Sequence, residues 1–479
     1  MSKKIKVTKL HVLCLILFIL SVIAIRYAKD IRYAIGDQKP EKQKRPLKAF
    51  ILSAYFYTTS ESLGNNSLAL VMSMNIGRNK NEQLNGVDQT KLTVMARNFS
   101  AGVVLSANYE RITLHDNCQM ITVFATLQLL PNPTQIALMT NETQADIPYK
   151  IPSYAKRDVV FCISPIYVSE LWQSFLTAAH IYKQTLLPCN LGIDLTFLLY
   201  HLTLLMLIKK RNFRVWQPPK PIESAKFVAL FELNDILVPK VAPTYVEEFE
   251  SIIGKSEGVA YLSYQRRNFD ANVYNSTGFS IQSMLDSLAD KNTKQIGKVV
   301  VVPKNLNYTW MDRPLHTPDG FVSIDVTQNE ITYIENITWI YDEPAVNTDS
   351  RAGGLFSNNS KNYKKLYGAA FVDIENELQF ILSKEPIAEI VPTLPNFYYF
   401  YYLVNKCFEE KYYKFLKSES SNWVKNTCPG PQICGFYQHP KVDCVHVNAQ
   451  HVYMKEAEPI TYYYATSHHY SADIGCYAH

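Results

Sequence analysis

The stretch Phe227–Asp235 reads FVALFELND, and it decides the fold class that we predict for this chain. The nearly continuous apolar run from Phe227 to Leu233 is typical of a parallel strand that is buried on both faces. The sequence TYVEEFESII then predicts a helix over Thr244–Ile253, after two prolines. A buried strand followed by a helix favours an α/β sheet.

A similar pair of elements lies closer to the N-terminus. The run VVFCIS at Val159–Ser164 predicts a strand, and ELWQSFLTAAHIY at Glu170–Tyr182 has its apolar residues at helical spacing. Two such units support strands that alternate with helices in this part of the chain.

The two ends of the chain differ in sequence pattern from the segment between them. Residues 48–150 contain short alternating runs, such as Ala101–Leu105 and Met120–Leu127, which predict a β-rich module. The last 80 residues are aromatic-rich and hold five of the nine cysteines, which predicts a loop-rich, disulfide-stapled subdomain. The spacing of their Cys and His residues matches no standard zinc finger, so disulfides are favoured over zinc.

Composition and charge exclude several classes of protein for this chain. The chain has 479 residues, 47% of them hydrophobic and 19% charged, which excludes a disordered or fibrous chain. Its net charge is +5, yet residues 1–48 alone carry +9, so the remaining 431 residues carry −4. A weakly acidic body argues against a nucleic-acid-binding protein.

The N-terminal basic segment surrounds an apolar run, LHVLCLILFILSVIAI, at Leu10–Ile25. Sixteen helical residues reach about 24 Å, which is short for a ~30 Å hydrocarbon core, but flanking Lys9 and Arg26 can snorkel. We expect an uncleaved signal anchor, and a cleaved signal peptide is the alternative. A second apolar run, Leu195–Ile208, is 14 residues long and is expected to be a buried helix; a second membrane span is the alternative.

Glycosylation signals predict which side of the membrane the body faces. Seven N-x-S/T sequons follow the apolar leader, at Asn65, Asn98, Asn141, Asn275, Asn307, Asn336 and Asn358. Eight cysteines lie beyond the leader, an even number that suits disulfides in an oxidising compartment. We therefore expect a single-pass type II membrane protein of the Golgi or secretory pathway, with its body in the lumen.

The chemistry that we predict centres on the end of the FVALFEL strand. Open α/β sheets bind ligands beyond the carboxyl ends of their strands, where acidic side chains hold a divalent cation that neutralises a diphosphate. Lumenal enzymes that use nucleotide sugars often have a D-x-D tripeptide there. In this chain the tripeptide is Glu232-Leu233-Asn234, followed by Asp235, and strand alternation predicts that Glu232 and Asn234 share one side. The alternative is a polar strand end without a ligand.

Four blocks of sequence resemble glycosyltransferase family 92: 157–183, 223–252, 297–310 and the Cys/Tyr-rich tail. The resemblance runs in pieces from about Ala54 to the end and implies a type II enzyme with a GT-A-like fold. It also implies manganese-dependent, inverting transfer of galactose from UDP-galactose to a glycan acceptor. The metal and nucleotide motif of the family falls on Glu232, Asn234 and Asp235.

Two features of this chain depart from the family. The usual D-x-D motif here has Glu for the first Asp and Asn for the second, and a neutral amide should weaken metal binding. The stretch between Gln184 and Ile222 is also shorter. A catalytically inactive family member that binds glycans or partner proteins is therefore the alternative to an active enzyme.

An inverting transfer also needs a carboxylate base, for which Asp312 and Asp319 are candidates by position. His316 is a candidate to complete the metal shell, and a solvated loop histidine is the alternative.

The expected fold is thus an α/β, GT-A-like nucleotide-sugar-binding sheet with a β-rich module before it and a Cys-rich subdomain after it, on an N-terminal membrane anchor. The expected partners are a glycan or glycoprotein acceptor and the membrane, with no nucleic acid. The expected segments are a cytosolic tail (1–9), a transmembrane anchor (10–25), a stem (26–47), a β-rich module (48–155), a GT-A-like domain (156–400) and a Cys-rich subdomain (401–479).

Overall fold

The structure is a computed structural model, and the described residues are 47–74, 92–111, 121–139, 144–152, 154–163, 169–184, 225–274, 278–309, 314, 317–340, 361–385, 387–413, 434, 446–457 and 460–471. The predicted anchor, the stem up to residue 46 and the apolar run at 195–208 lie outside them. Among the described helices, none combines the length and the apolar character that a membrane crossing requires.

The described residues form sixteen strands and six α-helices. The strands are β1 (Leu47–Tyr57), β2 (Ser67–Met74), β3 (Thr93–Arg97), β4 (Gly102–Ser106), β5 (Asn108–Arg111), β6 (Ile121–Gln128), β7 (Gln135–Met139), β8 (Gln144–Asp146), β9 (Arg157–Ile163), β10 (Ala225–Phe231), β11 (Asp235–Ile236), β12 (Val259–Tyr274), β13 (Ala289–Val301), β14 (Val322–Ile340), β15 (His446–Ala457) and β16 (Ile460–Ser471). The helices are α1 (Trp172–Gln184), α2 (Tyr245–Ile253), α3 (Ile281–Asp286), α4 (Lys361–Leu382), α5 (Ile387–Ile390) and α6 (Phe400–Cys407).

The N-terminal part is β-rich, as predicted. One sheet has the strand order β15-β16-β1-β2-β6-β5, and a second has the order β4-β3-β7-β8. Alternate residues of both sheets, such as Leu70, Val94, Val123 and Leu138, are fully buried in one shared core. The two sheets are therefore packed face to face, each burying one side of its pleat.

The tail differs from the loop-rich subdomain that the sequence suggested. Residues 446–457 and 460–471 form an antiparallel pair, and β16 runs parallel to β1, with Leu47 opposite Ile460. A stretch rich in Tyr, His and Val suits strands, and that β-propensity accounts for the difference. Among the described residues one disulfide is present, between Cys407 and Cys434, a pairing that the sequence had left open, whereas Cys162 on β9 is a free thiol with a pKa raised by burial to about 11.

The central sheet has the strand order β11-β14-β12-β13-β10-β9. The prediction of a strand and a helix on either side of residue 235 is confirmed, with β10 over Ala225–Phe231 and α2 over Tyr245–Ile253. Thr244 is the N-cap, because its hydroxyl accepts a hydrogen bond from the amide of Glu247 at 3.2 Å. The predicted strand and helix at 159–182 are also confirmed, as β9 and α1.

The central sheet is mixed, so the expected parallel neighbours are present on only one side of β10. Strand β10 is parallel to β9, with Phe227 opposite Val159, and antiparallel to β13. A large core covers one face of the sheet and includes Trp172 and Leu176 of α1 and Leu378 of α4. Because Val228 packs into a separate cluster on the opposite face, β10 is apolar on both sides, which explains its continuous run.

A candidate anion site at the carboxyl end of strand β10

The predicted motif begins where β10 ends. Strand β10 stops at Phe231, residues 232–234 form a turn, and Asp235 opens β11. The turn is closed by the amide of Asp235, which donates to the carbonyl of Glu232 at 3.1 Å. The prediction that Glu232 and Asn234 share one side by strand alternation is wrong, since the chain turns before alternation can apply.

Asp235 faces a buried arginine. Its side chain is fully buried, and Arg266 of β12 donates to it from Nε to Oδ1 and from Nη2 to Oδ2, both at 2.9 Å. Asp235 Oδ2 also accepts a hydrogen bond from the amide of Glu232 at 2.7 Å. Complete burial raises the pKa of Asp235, and the bidentate contact with Arg266 opposes that shift. Both carboxylate oxygens are therefore engaged within the protein.

Glu232 bridges two cations. Its Oε1 lies 2.6 Å from Nζ of Lys298 on β13, and its Oε2 lies 3.2 Å from Nη2 of Arg266. The Glu232 side chain keeps 33% of its surface exposed, whereas Lys298 and Arg266 keep 5% and 8%. Burial acts to raise the pKa of Glu232, but Arg266 and Lys298 outweigh it and lower that pKa.

A defect in strand pairing lies beside Lys298. In the pairing of β12 with β13, Ser263 is opposite Val299 but Gln265 is opposite Ile296, so the register shifts at Gly297 and Lys298. A Cβ atom on Gly297 would lie 1.7 Å from the carbonyl oxygen of Tyr264, so only glycine permits this approach of the two backbones. Irregularities of this kind re-aim side chains, and here the shift occurs beside the cation that meets Glu232.

Asn234 is held by tyrosines instead of by the charged groups. Its Nδ2 donates to the hydroxyl of Tyr401 at 2.6 Å, and that hydroxyl lies 3.2 Å from the hydroxyl of Tyr333. Burial raises the pKa of Tyr401 to about 12, so this hydroxyl stays neutral. The ring of Tyr333 lies 4.2 Å from Cζ of Arg266, a cation–π contact that joins the two halves of the site.

A buried glutamate fixes the position of Tyr401. The carboxylate of Glu170 accepts hydrogen bonds from the amides of Tyr399, Phe400 and Tyr401 at 2.8 to 2.9 Å. These amides are at the start of α6, where they have no acceptor within the helix. A negative charge is favourable at a helix N-terminus, so Glu170 anchors the helix that carries Tyr401 to Asn234.

The predicted metal ligands do not fit a divalent cation in this arrangement. Both oxygens of Asp235 accept from Arg266 and both oxygens of Glu232 contact cations, which leaves only Asn234 Oδ1, buried without a hydrogen-bond partner among the described residues, as a ligand. In the described part of the chain, no group of three His, Cys, Asp or Glu side chains is arranged to hold a metal.

Of the other predicted site residues, the structure describes Asp319 alone, and it does not join this cluster. His316 and Asp312 lie outside the described residues. Asp319 is exposed in the turn that precedes β14, where Val322 pairs with Val259 at the start of β12. That end of the sheet is opposite the carboxyl end of β10, so Asp319 is not brought together with Glu232.

Sequence reasoning missed Arg266, Lys298, Tyr333, Tyr401 and Glu170. Lys298 could have been noticed, because it directly precedes the run VVVV in a stretch that is otherwise typical of a buried strand. Glu170 looks like an ordinary acid near a helix start, and its partners lie about 230 residues away. The two tyrosines are members of an aromatic-rich sequence, so composition does not single them out.

Comparison with known proteins assigns the sequence of this chain to a family. The sequence model of glycosyltransferase family 92 matches residues 222–369, a segment that contains Glu232, Arg266, Lys298 and Tyr333. A glycosyltransferase family 92 protein of Caenorhabditis elegans is 37% identical over 470 residues, covering 91% of this chain and 92% of its own length. This chain belongs to glycosyltransferase family 92.

More distant relatives extend the family 92 similarity beyond the matched segment. Two further glycosyltransferase family 92 proteins of Caenorhabditis elegans are 26% and 25% identical, and the alignments cover 91% and 90% of this chain. They cover 91% and 90% of those proteins as well. The similarity to family 92 therefore extends over most of the chain, well beyond the segment that holds the charged cluster.

Proposed function

We propose that this glycosyltransferase transfers a hexose, galactose in the first instance, from a UDP-sugar to a glycan or glycoprotein acceptor with inversion at the anomeric carbon. The observation that carries the proposal is the charged cluster at the carboxyl end of β10, which lies inside the segment matched by family 92. Ligands of α/β sheets bind at this end of the strands, and a GT-A-like use of the sheet would place the donor there.

The chemistry of such a transfer suits a site that contains fixed positive charge. When the bond between the sugar and the diphosphate breaks, negative charge develops on the leaving UDP, and preorganised positive groups lower the barrier. Inversion requires the acceptor hydroxyl to attack from the face opposite the leaving group while a base removes its proton. Asp312 remains the predicted base, whereas the position of Asp319 at the far end of the sheet argues against it.

Manganese dependence stays a prediction, whereas location in the secretory pathway is part of the proposal. The resemblance to family 92 implies manganese, but the described candidate ligands are engaged with Arg266, Lys298 and Tyr401. For location, we propose a type II protein of the Golgi or secretory pathway that is anchored through residues 10–25. Exposed sequon asparagines at Asn65 and Asn307 are compatible with a lumenal body.

A transfer assay tests the proposed function. The purified full chain is incubated with UDP-galactose, UDP-glucose or UDP-N-acetylglucosamine and a mixture of released glycans, with manganese or with EDTA. We expect the mass of an acceptor to rise by one hexose with UDP-galactose, and proton NMR to show a β linkage from the α-linked donor. Reactions without an acceptor control for donor hydrolysis. No transfer from any of these donors would contradict the proposal.

A catalytically inactive, glycan-binding membrane glycoprotein is the second candidate. The observation that favours it is that two positions of the motif are engaged by other side chains, Asp235 by Arg266 through both carboxylate oxygens and Asn234 by Tyr401 through its Nδ2. It predicts glycan binding in the absence of a nucleotide, together with no hexose transfer under either metal condition. The same assay, combined with a glycan array, separates the two candidates.

A further inference from the structure

Two buried cations meet on one partly exposed carboxylate. Lys298 and Arg266 have 4% and 7% of their residue surface exposed, and both reach Glu232. Burying a charge is costly unless it is paired, so each cation needs an anion at this place. Asp235, which is fully buried, supplies one, and Glu232, which is partly exposed, supplies the other.

The two anions are not equivalent. Asp235 binds both Nε and Nη2 of Arg266 and also the amide of Glu232, so its removal would leave several donors unpaired. Glu232 contacts the cations only through the tip of its side chain, and that side chain is 33% exposed. A rotation about its own side-chain bonds would carry Glu232 into water, whereas Asp235 has no such exit.

The charge balance shows what such a rotation would create. With Glu232 in place, two carboxylates and two cations cancel. With Glu232 in solvent, these described side chains retain two cations and one carboxylate, so the cluster has a net charge of +1. Its donors would be an ammonium and the Nη2 edge of a guanidinium, a pair that is well suited to phosphate oxygens.

We infer that Lys298 and Arg266 form a binding site for the diphosphate of the donor nucleotide, and that Glu232 occupies this site until the nucleotide displaces it. The inference rests on the proposed function, since a nucleotide sugar is the source of the diphosphate. It assigns to fixed side chains the charge neutralisation that a metal would otherwise supply. Glu232 is then a competitor of the donor instead of a metal ligand.

The competitor and ligand roles of Glu232 predict opposite effects of one substitution. Glu232→Gln keeps the size of the side chain and removes its charge. If Glu232 competes with the diphosphate, nucleotide binding without metal becomes tighter. If Glu232 is a metal ligand, nucleotide binding in the presence of manganese becomes weaker and binding in EDTA stays absent.

Calorimetric titration of UDP into the full chain tests this inference. In EDTA we expect the wild type to bind UDP, Glu232→Gln to bind it about tenfold more tightly, and Lys298→Met to bind it at least about tenfold more weakly, since charge-assisted contacts are the strong ones. Lys298→Arg should retain binding, which separates loss of charge from loss of fold. Lys291→Met is the matched control, because Lys291 lies on the same strand but pairs with Asp270 and Glu335.

Several results would overturn the inference. They are UDP binding by the wild type only with manganese, weaker binding by Glu232→Gln, equal binding by the wild type and Lys298→Met, and no UDP binding under any condition. The transfer assay distinguishes failure of this inference from failure of the proposed function. Transfer without an effect of Lys298→Met on UDP binding removes the inference alone, whereas the expected UDP binding without any transfer removes the proposed function alone.

Discussion

Arg266 binds Asp235 through two parallel hydrogen bonds of 2.9 Å, and neither side chain has more than 8% of its surface exposed. The pair connects β12 to β11 across β14, so it fixes the turn that presents Glu232. It is a structural support of the candidate site, and its role differs from that of the partly exposed Glu232.

Asp235→Asn should destabilise the fold. The amide can accept only one of the two hydrogen bonds from Arg266, and the buried guanidinium loses the anion that compensates its charge. Breaking one partner of a buried pair costs about 3–5 kcal/mol, so we expect a decrease in the free energy of unfolding of that order. Urea denaturation followed by tryptophan fluorescence measures it.

The control for Asp235→Asn is Asp290→Asn, which removes an ion pair between Asp290 and the more exposed Arg267. Pairs near the surface contribute about 0–1 kcal/mol, so the control should change stability little. Equal effects of the two substitutions would show that the burial of the Arg266–Asp235 pair is unimportant.

The contribution of Glu232 to stability should depend on pH. Its pKa in the folded protein is lowered, chiefly by Arg266 and Lys298 acting against burial, so the unfolded chain binds the proton more readily. The contribution is therefore complete above the unfolded value of 4.5 and is lost as the pH falls through the lower folded pKa. Denaturation of the wild type and of Glu232→Gln over acidic pH measures it. A constant difference between the two proteins across that range would contradict the assignment.

Glu170→Gln should loosen the start of α6. The substitution removes the negative charge that three backbone amides share and turns an NH₂ group towards them, which costs about 2–3 kcal/mol locally. Hydrogen exchange read by mass spectrometry should be faster in the peptide that contains Tyr399–Tyr401. Glu389→Gln, an exposed change on the neighbouring helix α5, should leave that peptide unchanged. Unchanged exchange in Glu170→Gln would show that this carboxylate is not the anchor of Tyr401.

Glycosylation should distinguish the sequons by their backbone environment. Asn65 is exposed beside a tight turn at Asn66, whose φ is 54°, whereas Asn336 lies within β14 and donates to Asp270 at 2.9 Å. An acceptor asparagine needs to be accessible on a loop. We expect Asn65→Gln to reduce the mass that endoglycosidase removes and Asn336→Gln to leave it unchanged. The reverse result would contradict this accessibility argument, and no glycan at Asn65, Asn98 or Asn307 would contradict a lumenal body.

The spacing of apolar residues predicted the strands and helices around the site, because the type of each element depends mainly on the residues within it. The apolar run at 227–233 and the helical spacing at 170–182 correspond to β10 and α1. The parallel partner of β10 was also predictable from the alternating units. The antiparallel β13 on its other side was not, because the pairing of strands depends on contacts between distant segments.

The partners of the motif could not be derived in the same way. A D-x-D-like tripeptide predicts acids at a strand end, but nothing in the sequence singles out Arg266 and Lys298 among the several charged residues of β12 and β13. Whether such a cation meets Glu232 depends on the register shift at Gly297. The register between two paired strands leaves almost no signal in the sequence of either strand.

The parallel pairing of β1 with β16 has a consequence for synthesis. The ribosome makes Leu47 early and Ile460 near the end, so one edge of β1 has no neighbour for most of translation. An open strand edge is a place where other chains can add. The C-terminal strands therefore cover the edge of the N-terminal sheet last. A chain truncated before residue 446 would leave that edge of β1 open, so we expect it to aggregate or to be retained by quality control.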